Sequence, residues 1–400
     1  MFAESKRASI TIIAFCQVMA MALWFSASAV VPSLTAEFHL SPFAQAALTS
    51  GVQVGFVIGC LASAVFGLAD RLDPRRFFAV ATVIGAAANL LLLAVDPASI
   101  AALALRVVTG ICMAGIYPVG MKLASTWAKG DMGLMVGILV GALTLGSAAP
   151  HLFNAFGGMQ WRIPLITASA SAAVAAVLIG FAGIGPNRAP APRFDPSAAL
   201  TAWRDVPLRL ANLGYLGHMW ELYAMWTWIP FMIRASLSSR GSNPSLAEVS
   251  SFLVIGCGAA GCVVAGLIAD RVGRTIVTSV AMIVSGSCCL VIGFLFGAHP
   301  FALLIVAGIW GASVVADSAQ FSACVTELGD QQYIGTALTI QTCLGFLLTT
   351  VSIELIPRLV NLVGWRYVFA LLAPGPVFGV LAMLRLRGLP EAEKIAHGRR

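Results

Sequence analysis

The segments GLADRLDPRR (Gly67–Arg76) and GLIADRVGRT (Gly266–Thr275) are two short polar stretches that interrupt long apolar runs of the chain. They share the tripeptide Ala-Asp-Arg at an offset of 200 residues, and the pair Trp-Arg at 161–162 recurs at 365–366, an offset of 204. Because both sequences return in the same order at nearly one spacing, we predict that the chain consists of two homologous halves.

The composition is that of a membrane protein. Of the 400 residues, 59 % are hydrophobic and 10 % are charged, and the mean hydropathy is +0.91, whereas a soluble domain carries about 25 % charged residues. So few charges cannot cover a surface in water, so most of the chain is expected to face lipid. The net charge of +7 is spread through short loops without forming one basic patch, so no nucleic-acid partner is predicted.

Membrane-spanning helices are predicted wherever about 20 apolar residues follow one another. Twelve such segments occur, near residues 9–31, 44–68, 77–95, 99–126, 132–155, 162–184, 208–234, 246–269, 275–297, 300–325, 333–356 and 365–385. The one long polar stretch, 185–207, divides them six and six. The predicted fold class is therefore an all-α polytopic membrane protein with two pseudo-symmetric six-helix halves, 1–184 and 208–400, joined by a linker over 185–207.

The orientation follows from the basic residues. If both termini and the linker are cytoplasmic, 17 of the 24 Lys and Arg residues lie on the cytoplasmic side, as the positive-inside rule requires. The apolar run 8–31 is too long for the apolar region of a signal peptide, about 7–15 residues, so it is interpreted as the first span. We therefore predict a multi-pass protein of a bacterial-type inner membrane.

The two repeated loops resemble a motif of the major facilitator superfamily, G-x-L-A-D-R-x-G-R-[KR]. The copy in the second half is close, and in the looser first copy Asp73 replaces the second glycine. The fourth predicted span carries Arg106 and Gly110, similar to an R-x-x-x-G motif of the same family. The resemblance implies a secondary transporter that works by alternating access, with no enzymatic activity and no cofactor.

The resemblance also assigns roles within the fold. Spans 1, 2, 4, 5, 7, 8, 10 and 11 are expected to line a central cavity, and spans 3, 6, 9 and 12 to face lipid. The loop motif is expected to act as a latch between the halves, formed by Asp70, Arg71, Gly266, Asp270, Arg271 and Gly273. Neither a nucleotide-binding loop sequence nor a set of cysteines at zinc-ligand spacing occurs, so nothing predicts ATP-driven transport or a metal site.

Ionisable side chains within the spans give the candidate substrate and proton site, because such groups are costly in lipid and usually face a water-filled path. Glu221 in the seventh span is the first candidate proton carrier, since desolvation favours a neutral carboxyl group, and His218 lies one turn earlier on the same face. Asp317 in the tenth span is predicted to pair with a cationic substrate, a proton or Lys122. The alternative for each is a structural hydrogen bond or ion pair between helices.

Further candidates lie on the first, fourth, fifth, seventh and eleventh spans. Arg106 is a candidate for binding a substrate carboxylate, and Lys122 either faces the cavity or extends to lipid headgroups. The remaining candidates for contact with substrate or proton are Tyr117, His151, Gln17, Trp220 and Gln341. Pro118 is expected to interrupt the fourth span.

The mixture of Arg106 and Lys122 in the first half with Glu221 and Asp317 in the second favours proton-coupled uptake of a small anionic or zwitterionic organic solute. A first alternative is proton-coupled efflux of an amphipathic compound: Gly137, Gly146 and Pro150 in the fifth span partly resemble the glycine spacing of drug antiporters of this superfamily, and the seventh span is rich in aromatic residues. A second is a membrane sensor or scaffold that transports nothing. The expected partners are a small-molecule substrate and the lipid bilayer, with the protein as a monomer.

Overall fold

The computed structural model describes residues 5–129, 131–187, 194–195, 203–330 and 332–399. Twelve long helical segments, with short helical turns between and after them, follow one another in this part of the chain: α1 (Lys6–Phe25), α2 (Pro42–Phe66), α3 (Pro74–Ala94), α4 (Ile100–Ser125), α5 (Met132–Phe156), α6 (Arg162–Phe181), α7 (Val206–Ser238), α8 (Pro244–Val272), α9 (Arg274–Leu295), α10 (Pro300–Leu328), α11 (Ile334–Val363) and α12 (Trp365–Arg387). Eleven are long and apolar enough to cross a membrane. α7 has the length, 33 residues, but carries Asn212, His218 and Glu221 within it. The predicted all-α fold is confirmed.

Several helices begin at a polar residue followed by proline. Ser41, Asp73 and Asn243 accept hydrogen bonds from backbone N–H groups in the first turns of α2, α3 and α8, and a proline follows each of them directly. The side-chain acceptor pairs one of the free N–H groups at the helix start, and proline fits there because that position needs no donor. These local signals fix where the helices start.

Two helices are broken at equivalent places in the two halves. α4 consists of Ile100–Ala114 and Tyr117–Ser125, and α10 of Pro300–Ala316 and Ser318–Leu328. In α4 the break falls just before Pro118, whose ring excludes a helical hydrogen bond. α11 continues to Val363, past the predicted end at 356, with Pro357 inside it.

The first six helices and the last six pack in the same pattern. In the first set α1 contacts α5 and α6, α2 contacts α4, and α3 contacts α6; the equivalent pairs in the second set are α7 with α11 and α12, α8 with α10, and α9 with α12. The two sets contact each other mainly through α5 with α8 and α2 with α11. Most of the predicted linker, 185–207, lies outside the described residues, so the predicted boundaries of the halves stay predictions.

Glycines permit the closest helix contacts. A Cβ atom on Gly110 of α4 would lie 2.1 Å from the carbonyl oxygen of Val52 on α2, and one on Gly311 of α10 would lie 1.8 Å from that of Val254 on α8. Both distances are too short for any side chain, so these helix pairs require glycine.

Candidate functional site

The bundle has two ends, which we name by their loops. The linker side carries Lys6, the loop 67–73 and the described residues 182–187, and the distal side carries the loops 39–41, 157–161 and 239–243. Successive helices run in opposite directions, so every second loop lies at the same end of the bundle. Contacts between such loops confirm this: Lys6 and Asp131 on the linker side are 2.6 Å apart.

A cavity of about 100 Å³ lies between the halves, lined by residues of α4, α5, α7, α10 and α11. All five belong to the set expected to line it. Its walls are aliphatic side chains, methionines and aromatic rings, with hydroxyl groups from Ser318, Ser322 and Thr342. Tyr117, an expected site residue, contributes from α4, and Tyr215 from α7. Among the described residues, the lining contains no Asp, Glu, Lys, Arg or His.

Aromatic rings from both halves close the distal side of this cavity. We call them the aromatic plug: Trp24 and Phe25 of α1, Phe56 of α2, Tyr223 and Trp226 of α7, and Phe346 of α11. Ring centroids of neighbouring members are 4.5–6.2 Å apart, as in stable aromatic pairs. Because Tyr223 and Phe346 also line the cavity, the plug is the distal wall of the cavity.

Polar contacts join the halves beyond the plug. Nδ1 of His151 on α5 lies 2.8 Å from Oε2 of Glu248 on α8, both side chains are 3 % exposed, and Arg234 of α7 binds the other carboxylate oxygen. Nearby, Ser50 of α2 donates to Glu354 of α11 over 2.8 Å. His151 therefore contacts the opposite half and not the cavity, and separation of the halves on the distal side must break both contacts.

Glu221 lies inside the second half and does not line the cavity. Its carboxylate accepts hydrogen bonds from Ser285 and Cys289 of α9, over 2.9 and 3.0 Å, and from Nε1 of Trp310 on α10. All three donors are uncharged, and the side chain is 1 % exposed. A carboxylate buried with neutral donors alone is costly, so this position favours binding of a proton.

A second acid lies beside it. Nδ1 of His218 on α7 is 2.9 Å from Oδ1 of Asp317, at the break in α10, and both side chains are almost fully buried. Glu221 lies one turn after His218 on α7. Lys122, one of the three partners predicted for Asp317, does not bind it, because Nζ of Lys122 binds the carbonyl oxygen of Ala69 and the carboxylate of Asp70. The two acids and the histidine thus form one cluster between α7 and α10, which we call the acid cluster (His218, Glu221, Asp317).

Arg106 is enclosed by backbone. Its guanidinium donates to the carbonyl oxygens of Leu48, Leu23 and Trp24 and to the side-chain oxygen of Asn89. Leu23 and Trp24 lie in the last turn of α1, where carbonyl groups lack helical partners. The residue is 0 % exposed, and the contacts connect α1, α2, α3 and α4. It does not line the cavity in this conformation.

Lys122 extends to the linker side. Its Nζ donates to the carbonyl oxygen of Ala69 over 2.7 Å and binds the carboxylate of Asp70, the acid of the first loop motif. Both groups border an open groove of about 770 Å³ that also includes the exposed Arg71. Although this groove is larger than the central cavity, all of its lining lies within residues 69–187, so it is not a path between the halves.

The second loop motif touches the first half. Gly133 lies in the first turn of α5, and Oδ2 of Asp270 is 3.1 Å from the position that a Cβ atom on Gly133 would occupy. Gly266 packs against the carbonyl oxygen of the same glycine. A carboxylate is favourable at a helix start. Gly273 has φ +106°, which ends α8 and begins α9, and Arg271 is exposed. Asp270 therefore contacts the start of α5 in the other half, and the latch stays a prediction.

The other three predicted residues lie away from the cavity. Trp220 faces α12, where its Nε1 donates to the Leu371 carbonyl oxygen over 3.3 Å. Gln341 of α11 donates to Asn212 of α7 over 3.0 Å. Gln17 is buried within the first half against Gly120.

The sequence reasoning missed Glu248 and Trp310. Glu248 lies in the first turns of α8, near a predicted loop, where an acid is ordinary and nothing distinguishes a buried one. Trp310 is an aromatic residue in an apolar helix. Its only indication of a functional contact in the sequence is the indole N–H group, which needs a hydrogen-bond partner when buried.

Comparison with known proteins identifies the family. The sequence profile of the Major Facilitator Superfamily matches residues 13–353. The chain belongs to the major facilitator superfamily. No curated protein sequence matches significantly. A crystal structure of a mutant of the nucleoside transporter NupG is similar to this superfamily member over 96 % of this chain and 100 % of that chain, with a TM-score of 0.74 and 13 % sequence identity.

Membership of this superfamily confirms the expectation of a multi-pass membrane transporter of small molecules and not an enzyme. It also supports transport without a cofactor. At 13 % identity the likeness to the nucleoside transporter shows the fold alone.

Proposed function

We propose that this superfamily member is a proton-coupled secondary transporter whose proton binds the acid cluster while the solute binds the central cavity. The observation that carries the proposal is the burial of Glu221 and Asp317, each 1 % exposed, on the two helices that supply Tyr215, Met219 and Ser318 to the cavity wall. Burial of Glu221 among uncharged donors favours a bound proton, and movement of α7 or α10 around a solute changes the surroundings of both acids.

The geometry supports a different solute from the one that the charge pattern suggested. Arg106 is bonded to carbonyl oxygens and Lys122 to Asp70, so neither cation faces the cavity. An anionic solute would lose its hydration without gaining a positive partner. The cavity therefore favours an uncharged small organic solute, and the reason for expecting an anionic or zwitterionic solute no longer holds.

Uptake and efflux both remain compatible with this site. The mainly apolar and aromatic walls also suit an amphipathic compound, as efflux would require. We retain uptake as the proposed direction. An orientation with both termini in the cytoplasm of an inner membrane is supported by the basic residues, because 17 of the 24 then lie on the cytoplasmic side. The proposed active unit is a monomer.

Proton flux in proteoliposomes tests the coupling. Vesicles that contain a pH-sensitive dye are challenged with neutral, anionic and cationic solutes, using wild type, Glu221→Gln and, as a matched control, Glu37→Gln. Glu37 accepts a hydrogen bond from Trp161 within the first half, outside the acid cluster. We expect Glu221→Gln to abolish solute-dependent proton movement while solute exchange continues, and Glu37→Gln to behave as wild type. Unchanged proton movement in Glu221→Gln would refute the proposal.

A further inference from the structure

The aromatic plug contains hydrogen-bonding groups that have no partner. Nε1 of Trp24, Nε1 of Trp226 and both amide atoms of Gln53 are buried and unpaired within the part of the chain that the structure describes. The three side chains are 0–1 % exposed. Buried donors of this kind are normally satisfied. Both indoles pack against Tyr223, and this shared position indicates a ligand-binding surface that is folded shut in this conformation.

The other buried indoles of the second half are satisfied. Nε1 of Trp228 donates to the carbonyl oxygen of Ile353 over 2.9 Å, and Nε1 of Trp310 donates to Glu221. Trp226 and Trp228 are two residues apart on α7, so they point in different directions and only the first faces the plug. The unpaired N–H groups are therefore a property of the plug and not of tryptophan in this protein.

The plug is divided between the two halves. Trp24, Phe25 and Phe56 come from helices of the first half, and the other three rings come from α7 and α11. Trp24 stacks on Tyr223 with centroids 5.8 Å apart and an interplanar angle of 25°. If the halves separate on the distal side, these facing rings move apart and a planar molecule can take the place of one of them.

The polar atoms beside the plug indicate which hydrogen-bonding groups the edge of such a molecule must carry. Gln53 lies one turn from Phe56 on α2, on the same face, so its amide offers one donor group and one acceptor beside the rings. The two indole N–H groups add donors only. No Asp, Glu, Lys, Arg or His belongs to the described cavity lining, so a charged ligand would have no counter-charge there.

We propose that the aromatic plug is the distal half of the substrate site and that its ligand is an uncharged, planar heteroaromatic molecule with hydrogen-bond acceptors at its edge. The ring stacks between plug residues of the two halves, its acceptors bind Nε1 of Trp24 and Trp226, and the Gln53 amide binds the adjoining edge. This inference rests on the proposed transport function, whose cavity it extends.

Equilibrium binding to the purified full-length protein in detergent tests the ligand class. Radiolabelled nicotinamide is compared with nicotinate, and uracil with orotate, because each pair keeps one ring and differs by a carboxylate. Glucose serves as a neutral molecule without an aromatic ring. We expect the two neutral heteroaromatic probes to bind at least tenfold more tightly than their carboxylates and than glucose. This comparison uses wild-type protein and does not depend on any variant that folds poorly.

Variants locate the site. Trp226→Phe keeps an aromatic ring and removes the N–H group, and Trp228→Phe is the matched control on the same helix. Loss of one hydrogen bond predicts about five- to tenfold weaker binding of the neutral probes by Trp226→Phe, with no change in Trp228→Phe. Equal losses in both variants, tighter binding of the carboxylates, or no binding of either neutral probe would overturn the inference.

The same reagents separate this inference from the transport proposal. Binding of nicotinamide or uracil that depends on Trp226, without proton movement in vesicles, would refute proton coupling and leave the site standing. Proton movement driven only by carboxylates would keep transport and overturn the ligand class.

Discussion

Replacing Glu248 with glutamine should release the distal contact between the halves. Glu248 contacts two side chains, Arg234 and His151. Arg234 lies in the same half of the chain as Glu248, whereas His151 lies in the other half, so the contact with His151 joins the halves. The glutamine keeps the shape of the side chain and removes the charge. We therefore expect the conformation that is open on the distal side to become more populated.

The size of the shift follows from the contact that is lost. His151 and Glu248 are 2.8 Å apart and each is 3 % exposed, and a hydrogen bond to a charged group contributes about 1.5–3 kcal/mol. Glutamine can still form a neutral hydrogen bond with His151, which contributes about 1 kcal/mol, so roughly 0.5–2 kcal/mol is lost. A factor of ten in an equilibrium corresponds to about 1.4 kcal/mol, so the open population should rise about 2- to 30-fold. In the open state the freed side chains are hydrated, so no compensating penalty opposes the shift.

Alkylation of a buried cysteine measures this population. Ser147 lies one turn before His151 on α5 and is 2 % exposed, and cysteine is close to it in size. The rate of reaction of Ser147→Cys with a maleimide in detergent, with and without Glu248→Gln, reports how often the distal side opens. Peptide mass spectrometry resolves position 147, so the nine native cysteines can stay.

Glu37→Gln is the control for this experiment, because it alters a distal acid whose partners lie in its own half. An unchanged alkylation rate in Glu248→Gln, or an equal increase in Glu37→Gln, would refute the assignment of His151 and Glu248 as a distal closure.

Three further variants test the packing. Gly110→Ala should prevent recovery of folded protein in size-exclusion chromatography, because its Cβ atom would lie 2.1 Å from the Val52 carbonyl oxygen, whereas Gly180→Ala, with no atom within 4 Å, should behave as wild type. Arg106→Ala removes four buried hydrogen bonds from a charged donor and should cost at least about 3 kcal/mol, seen as loss of folded protein; a folded variant with selectively weaker binding of anionic solutes would instead support the role expected from sequence. Asp73→Ala removes the N-cap of α3 and should lower the melting temperature through a loss of about 0.5–2 kcal/mol. The hydrogen bond from Arg75 lowers the pKa of Asp73 from 3.8 to about 2, so this cap stabilises the protein above pH 3.8 and the difference between wild type and variant should shrink as the pH falls towards 2.

The twelve long helices and their arrangement in two similar sets of six follow from the sequence because they depend on local properties. The length of an apolar run decides whether a helix crosses a membrane, and Ser41, Asp73 and Asn243 mark where helices start. The repeat of the loop motif needed no structure, and Pro118 was correctly expected to interrupt α4.

The sequence also placed Glu221, His218 and Asp317 at membrane depth, but it could not give their partners. Which face of a helix meets the cavity depends on how the helix is rotated against its neighbours, and a helix that is apolar on all sides does not encode that rotation.

The tertiary structure decided the chemistry of the site. It put Lys122 against Asp70, enclosed Arg106 in carbonyl oxygens, and left a cavity whose described walls carry tyrosines and hydroxyl groups. It also brought Glu248 to His151 over a sequence separation of 97 residues. Sequence determined which residues lie in the membrane, because burial in lipid is a property of each helix alone. Only the packed bundle decided which charges neutralise one another, because that depends on distances between helices far apart in the chain.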